Sequence, residues 1–242
     1  MARAVIFHTG DLHNRLSPAA ARQLQALKRD CPGSLLVDAG DAVAAGNLTF
    51  SVGGEPILRL MTEIGYDAMA MGNRESHPRR WMLERKLRDV GFPVLAANVS
   101  AKEGSLPPFV RSHKVFDTEA GRVAIVGIAP QMVAPESVWA RVADYVFTDP
   151  VVTVGRLARA LRREAELVVC LSHCGRAVDA QIAALPEVDL VLGGHSHLCL
   201  VEQEPGRAMI VHAGHHGSHV ARTEIAARDD ASSALEPLQC GP

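Results

Sequence analysis

The stretch Asp189-Leu190-Val191-Leu192-Gly193-Gly194-His195-Ser196-His197 reads as a short apolar strand that breaks on two glycines and delivers two histidines at its end. Four other apolar runs end in the same way. Ala4–His8 runs into Thr9-Gly10-Asp11-Leu12-His13, Ser34–Asp38 into Ala39-Gly40-Asp41, and Asp67–Met71 into Gly72-Asn73-Arg74-Glu75. Leu167–Leu171 runs into Ser172-His173-Cys174-Gly175. In open α/β sheets the loops beyond the carboxyl ends of the strands converge on one crevice. Five strand ends delivering Asp, His or Asn to such a rim form the pattern of a metal site. Gly10, Gly40, Gly72 and the pair Gly193-Gly194 each lie beside a candidate ligand, where the backbone has to turn sharply out of its strand.

Between these strands lie helical patterns, so the class is α/β in layers. Ser17-Pro18 offers an N-cap with proline in the first turn of a helix running through Ala19–Lys28, ended by Cys31-Pro32-Gly33. Further helices are expected over Pro56–Ile64, Arg79–Val90, Val152–Glu166 and Ala177–Leu185. Pro93–Ala97 is another strand, and Val110–Val115 with Arg122–Ile128 reads as a hairpin split at Glu119-Ala120-Gly121. Leu198–Glu202, Ala208–His212 and Val220–Ala226 follow with no helices between them, as a meander. Ser100–Pro108 reads as a surface loop. One domain is expected over residues 1–228, followed by a polar tail over 229–242.

Composition narrows the function. The chain has 242 residues, 48% apolar and 21% charged, which is ordinary globular material able to bury a large core. A formal charge of -2 speaks against a nucleic-acid polymer as partner. The run Arg156, Arg159, Arg162 and Arg163 reads as a solvated helix face. No apolar run approaches the roughly 18 residues of a membrane span, so no membrane partner is expected. Cys31, Cys170, Cys174, Cys199 and Cys240 are an odd number in a chain too large to need a disulfide framework. Together with an N-terminus that carries no signal-like segment, they place the expectation in the cytoplasm.

The ordered set Asp11-x-His13, Gly40-Asp41, Gly72-Asn73, Ser172-His173 and Gly194-His195-Ser196-His197 resembles the calcineurin-like metallophosphoesterase superfamily, and within it the catalytic domain of the 5'-nucleotidase branch. The likeness runs from Val5 to about Ile225. It implies a four-layer α/β/β/α sandwich of the metallo-dependent phosphatase type with two divalent metal ions. By matched position, Asp11, His13, Asp41 and His197 would hold one ion. Asp41, Asn73, His173 and His195 would hold the other, with Asp41 bridging. Imidazole, carboxylate and amide oxygen without thiolate suit Mn, Fe, Zn, Co or Ni, and Cys174 reads as a packed thiol. The implied activity is hydrolysis of a small phosphorylated metabolite, a nucleotide among the candidates, by metal-activated hydroxide.

The sequence departs from the resemblance at two places. The branch carries His where this chain has Arg74, and a carboxylate where it has His77. Arginine cannot give up a proton near neutral pH. His77, or His216 in the cluster His212-Ala213-Gly214-His215-His216-Gly217, is then the expected acid, with Arg74 binding phosphate. The alternative is that Arg74 pairs with Glu75 or Asp38 and the chain is an impaired enzyme serving as a binding scaffold. Nucleotidases of the branch also carry a C-terminal base-binding domain, which has no counterpart in this sequence.

Overall fold

A computed structural model describes residues 2–239. In chain order it contains β1 (Ala4–Thr9), α1 (Pro18–Asp30), β2 (Leu35–Asp38), α2 (Pro56–Ile64), β3 (Ala68–Ala70), α3 (Arg80–Lys86), β4 (Val94–Leu95), β5 (Val99–Ala101) and β6 (Val110–Arg111). There follow β7 (His113–Thr118), β8 (Gly121–Ile128), β9 (Tyr145–Phe147), α4 (Pro150–Leu161), β10 (Leu167–Ser172) and α5 (Arg176–Ala183). The last strands are β11 (Leu190–Gly193), β12 (Cys199–Glu202), β13 (Met209–Ala213), β14 (His219–Ala227) and β15 (Asp230–Pro237).

Two large sheets result. The first has the order β15-β14-β1-β2-β3-β4-β6, the second β12-β13-β11-β10-β8-β7, and β5 pairs with β9 apart from both. Alternation along the strands sorts the side chains into three buried layers. Ile6, Val37, Ala68 and Leu95 meet Ile125, Val169, Leu171 and Leu192 between the sheets. Phe7, Leu36 and Met69 point the other way, onto Leu24 of α1 and Leu58 and Met61 of α2. Val126, Val168, Cys170 and Val191 pack under Val154 and Leu161 of α4 and Ile182 of α5. The layers run α/β/β/α, as the resemblance implied.

Helix boundaries follow local chemistry. Ser17 Oγ accepts the Ala20 N–H at 3.0 Å. Asp149 caps α4 through the Val152 N–H at 2.9 Å, with Pro150 in the first turn. This cap starts α4 two residues before Val152, where the apolar pattern alone had put it. Helix α3 ends at Lys86 rather than Val90, where the backbone passes into a turn with Val90 N–H on Leu87 O (3.1 Å). The Lys86 ammonium is turned inward onto the carbonyls of Gly46 (2.9 Å), Arg74 (2.7 Å) and Ser76 (3.1 Å).

Three expectations about strands are corrected. Val110–Val115 is not one strand: β6 joins the first sheet, and beyond Ser112 β7 joins the second. The sheets touch there because Gly127 of β8 has no side chain; a Cβ on it would lie 2.1 Å from the Cβ of Leu95. The last strands are not a simple meander either. Strand β13 pairs with β11 and β12 in the second sheet, whereas β14 pairs with β1 in the first. Finally, residues 230–237 of the expected polar tail form β15, held by backbone pairing to β14. Among the described residues no helix is long and apolar enough to cross a membrane. Cys31, Cys170, Cys174 and Cys199 are free, and Cys240 lies outside the described residues.

Candidate metal centre

Strands β1, β2, β3, β10 and β11 all open onto one edge of the sandwich, and backbone hydrogen bonds stitch their loops together. Asp11 N–H donates to Gly40 O (2.9 Å), His13 N–H to Asp41 O (2.9 Å) and Gly194 N–H to Ser172 O (2.9 Å). The His195 N–H donates to Asp11 Oδ2 at 2.9 Å. Glu75, fully buried, gathers four amides: those of Asp41 (2.8 Å), Ala42 (2.9 Å), Val43 (3.2 Å) and Gly72 (2.9 Å). Gly72 is obligatory in this packing, since a Cβ there would sit 2.3 Å from Asp41 Oδ1.

These loops bring Asp11, His13 and His197 into one group of converging ligand atoms, and Asp11, Asp41 and His173 into a second. Nε2 of His197 lies 3.4 Å and Nε2 of His13 3.7 Å from Asp11 Oδ1. Nε2 of His173 lies 3.3 Å from Asp41 Oδ1, and Nε2 of His13 lies 3.7 Å from Asp41 Oδ2. Both carboxylates therefore touch both groups, with Asp11 the member common to them. The His195 ring stands edge-on to His173, 5.1 Å between centroids. Asn73 donates from Nδ2 to Asn47 Oδ1 at 3.2 Å, which leaves its own Oδ1 as the free acceptor.

Buried polar atoms ordinarily find partners. Here Asp11 Oδ1, His13 Nε2, Asn73 Oδ1 and His173 Nε2 are buried and have none. Four orphaned atoms, all acceptors or able to be, at the mouth of one crevice fit divalent cations. The backbone is strained at the same places: Asp11, His13, Asp41, His195 and His197 all have φ between 48° and 70°, a left-handed conformation uncommon outside glycine.

Electrostatics agree. The His173 Nδ1 faces the Ala39 carbonyl at 2.7 Å. A carbonyl only accepts, so Nδ1 carries a proton and Nε2 is the atom turned to the carboxylates. Burial resists charge on this ring, yet the neighbouring carboxylates of Asp41, Asp11 and Glu75 outweigh it and raise His173 to about 9. Without cations, a second proton on the ring thus answers the negative charge that an ion would otherwise neutralise. Burial likewise opposes the Asp41 carboxylate, but His173, the Arg74 amide and His13 hold it below its ordinary value. Cys174 stays outside: its thiol donates to Ala129 O at 3.3 Å, and burial, then Asp179, pushes it up to about 12.

The three residues considered for substrate and proton chemistry separate. Arg74 lies over the cluster, its N–H on Asp41 Oδ1 (2.7 Å), Nη1 on Ala44 O (2.9 Å) and Nε 3.7 Å from Asp41 Oδ2. Its partners are Asp41 and Ala44, not Glu75 or Asp38. His77 accepts the Arg79 N–H on Nδ1 at 3.0 Å and is also bonded to the Leu48 backbone, in the wall of an apolar cavity. His216 donates its N–H to Asp11 O (2.8 Å), shares the left-handed conformation (φ 55°), and sets its ring 5.2 Å from that of His13. His215 stacks on His197 at 4.8 Å, a contact hidden from sequence reading because nothing distinguishes His215 from its neighbours there. Glu75 and Lys86 were equally hidden, since their roles come from complete burial.

The profile of calcineurin-like phosphoesterases matches residues 4–199. The chain belongs to this family. Among family relatives, the 5'-nucleotidase of Rattus norvegicus is 30% identical over 83% of this chain and 39% of its own length. The trifunctional nucleotide phosphoesterase protein YfkN of Bacillus subtilis is 26% identical over 91% of this chain but 18% of its own. The chain thus spans well under half of the curated relatives it matches. Among solved structures, a 5'-nucleotidase precursor from Thermus thermophilus superposes with a TM-score of 0.81 at 22% identity, over 98% of this chain and 54% of that one. The calcineurin-like phosphoesterase YfkN structure gives 0.72 at 18% identity over 98% and 91%. At such identities these likenesses speak for the fold.

Proposed function

We propose that the chain hydrolyses phosphate esters of small metabolites, nucleotides among them, at a two-cation centre held by Asp11, His13, Asp41, Asn73, His173, His195 and His197. The observation that carries this reading is that the orphaned atoms of Asp11, His13 and His173 fall within two overlapping groups of ligand atoms, with Asn73 Oδ1 unpaired on the loop next to Asp41. Divalent ions held there would polarise the phosphoryl oxygens and acidify a water molecule for in-line attack. The residues themselves do the rest. Arg74 offers a fixed cationic donor beside Asp41, suited to a phosphoryl oxygen. His216, beside His13, is the imidazole positioned to protonate a leaving oxygen. Its own pKa is lowered, first by burial and then by Arg15, His215 and His13. Glu75 and Lys86 hold the loops that carry Asp41 and Asn73. Free cysteines support a cytoplasmic setting.

The test is a screen of phosphorylated metabolites with Mn²⁺-loaded protein, with product analysis and elemental analysis of the same sample. Turnover with two ions per chain is the expected result. Bound ions without turnover on any ester would leave a metal-holding scaffold and overturn the enzymatic reading.

A further inference from the structure

Beside the metal centre lies a cavity of about 420 Å³, within the range of roughly 300–1,000 Å³ usual for small-molecule sites. Its walls are Met132, Val142, Phe147 and Trp139, and its polar positions include Asn47 and His77. Hydrogen bonds connect its lining to the centre, from Asn73 Nδ2 to Asn47 Oδ1 and from Ser76 Oγ to Asn73 O. A substrate whose phosphate sits at Asn73 has this cavity as the neighbouring space for its organic part.

The lining indicates what that part is. Trp139 is 71% exposed and Val142 59%, although each edges a cavity that could shelter it. An indole left open at the edge of this cavity is suited to a flat ring, which covers it by stacking. His77 cannot readily turn to grip a ligand, because its ring is bonded to Arg79 and Leu48. Arg79 and Ser76 also line the cavity, but Arg79 is engaged by Val142 O and Asp144, and Ser76 by Asn73 O. Few polar groups are left to converge on a ligand, so the cavity accepts planar rings without distinguishing strongly between them. A sugar or glycerol phosphate would leave the apolar walls wet.

We infer that this cavity is the subsite for an aromatic or heteroaromatic group carried by the phosphate ester, with Trp139 as its stacking wall. The inference rests on the phosphoesterase reading and names the substrate class for that centre.

Two measurements on metal-loaded protein test it. The first compares adenosine monophosphate with glycerol phosphate in wild type and Trp139→Ala. KM for the nucleotide should rise roughly tenfold, as expected for loss of a base–aromatic stack, while kcat and both constants for glycerol phosphate stay within about twofold. The second uses Trp81→Phe protein, in which Trp139 is the remaining tryptophan of the two, and follows its fluorescence as adenosine monophosphate is added. Saturable quenching is expected. Hydrolysis with neither quenching nor a KM change in Trp139→Ala overturns the subsite and leaves the phosphoesterase reading intact. A KM change shared equally by both esters also overturns it. Quenching without hydrolysis of any ester supports the subsite and removes the activity.

Discussion

The carboxylate of Glu75 accepts the backbone N–H of Asp41 at 2.8 Å, from a position with no solvent exposure. The same side chain holds Gly72, so one buried charge fixes the two loops that present Asp41 and Asn73. Glu75→Gln keeps the shape but turns an NH₂ toward amide donors. Folding stability should fall by about 2–4 kcal/mol, the scale of a buried charge-assisted network left partly unpaired. Urea denaturation measures it, and cation binding should weaken in parallel. An unchanged midpoint would mean the four amides find other acceptors.

Removing cations should abolish turnover, and re-adding Mn²⁺ should restore it. Because Asp11 and Asp41 each touch both ligand groups, Asp41→Ala should lower the metal content from two ions per chain to less than one. His197→Ala should lose chiefly one ion, since its ring approaches Asp11 in one group only. Elemental analysis that finds a single tight ion surviving Asp41→Ala would sink the two-cation assignment.

Arg74 bears on the leaving group. Alkyl phosphates expel a poor alkoxide and benefit from protonation, typically by ~10²–10⁴-fold, while aryl phosphates need it little. If His216 supplies that proton, His216→Ala should slow alkyl esters by roughly a hundredfold and aryl esters far less. His77→Ala should leave the ratio of their kcat values unchanged, because the ring is bonded to the Arg79 and Leu48 backbone and has no proton to deliver to the leaving oxygen. Arg74→His raising alkyl-ester rates alone would show instead that the acid is missing from the native site.

Asp38 gives a pH signature of folding. Burial, opposed by hydrogen bonds from Thr9 and Gly40, pushes its carboxyl from 3.8 up to about 7. In the unfolded chain it ionises first, so its contribution is complete below pH 4 and is lost as pH rises toward 7. Three units correspond to about 4 kcal/mol at most. Asp38→Asn, in which Oδ1 still faces the Gly40 amide, should flatten the fall in stability between pH 4 and 7 relative to wild type. Parallel curves of urea midpoint against pH for the two proteins, measured in chelator, would refute it.

The strand-end loops were legible because each couples a glycine to a ligand-type side chain, and that local chemistry survives without tertiary information. Helix α2 was legible to the residue, Pro56 opening it and Gly65 closing it. Strands β5 and β9 have three residues each and no periodicity to read. Asp230-Ala231-Ser232-Ser233 looks like a tail because its small and polar side chains carry no strand pattern. Its place is set by backbone pairing with β14 and by contacts such as Ser233 Oγ to Thr223 Oγ1 that exist only after folding. Pairing of β14 with β1 instead of β13 depends on which sheet face remains uncovered, a property of the assembled sandwich. The cavity is formed by residues near positions 47, 77, 139 and 147, which meet only after folding.

The left-handed backbone at five of the candidate ligands has a consequence for laboratory evolution. Such a conformation costs an L-residue about 1–2 kcal/mol, and glycine largely escapes it at the expense of about 0.5–1 kcal/mol of chain entropy. His195 and His197 are exposed, and in the cation-free protein glycine would forfeit there little beyond the ring contacts with His173 and His215. Selecting this protein for heat resistance alone, in chelator, would therefore enrich glycine at those two positions. The hardiest survivors would be the silent ones.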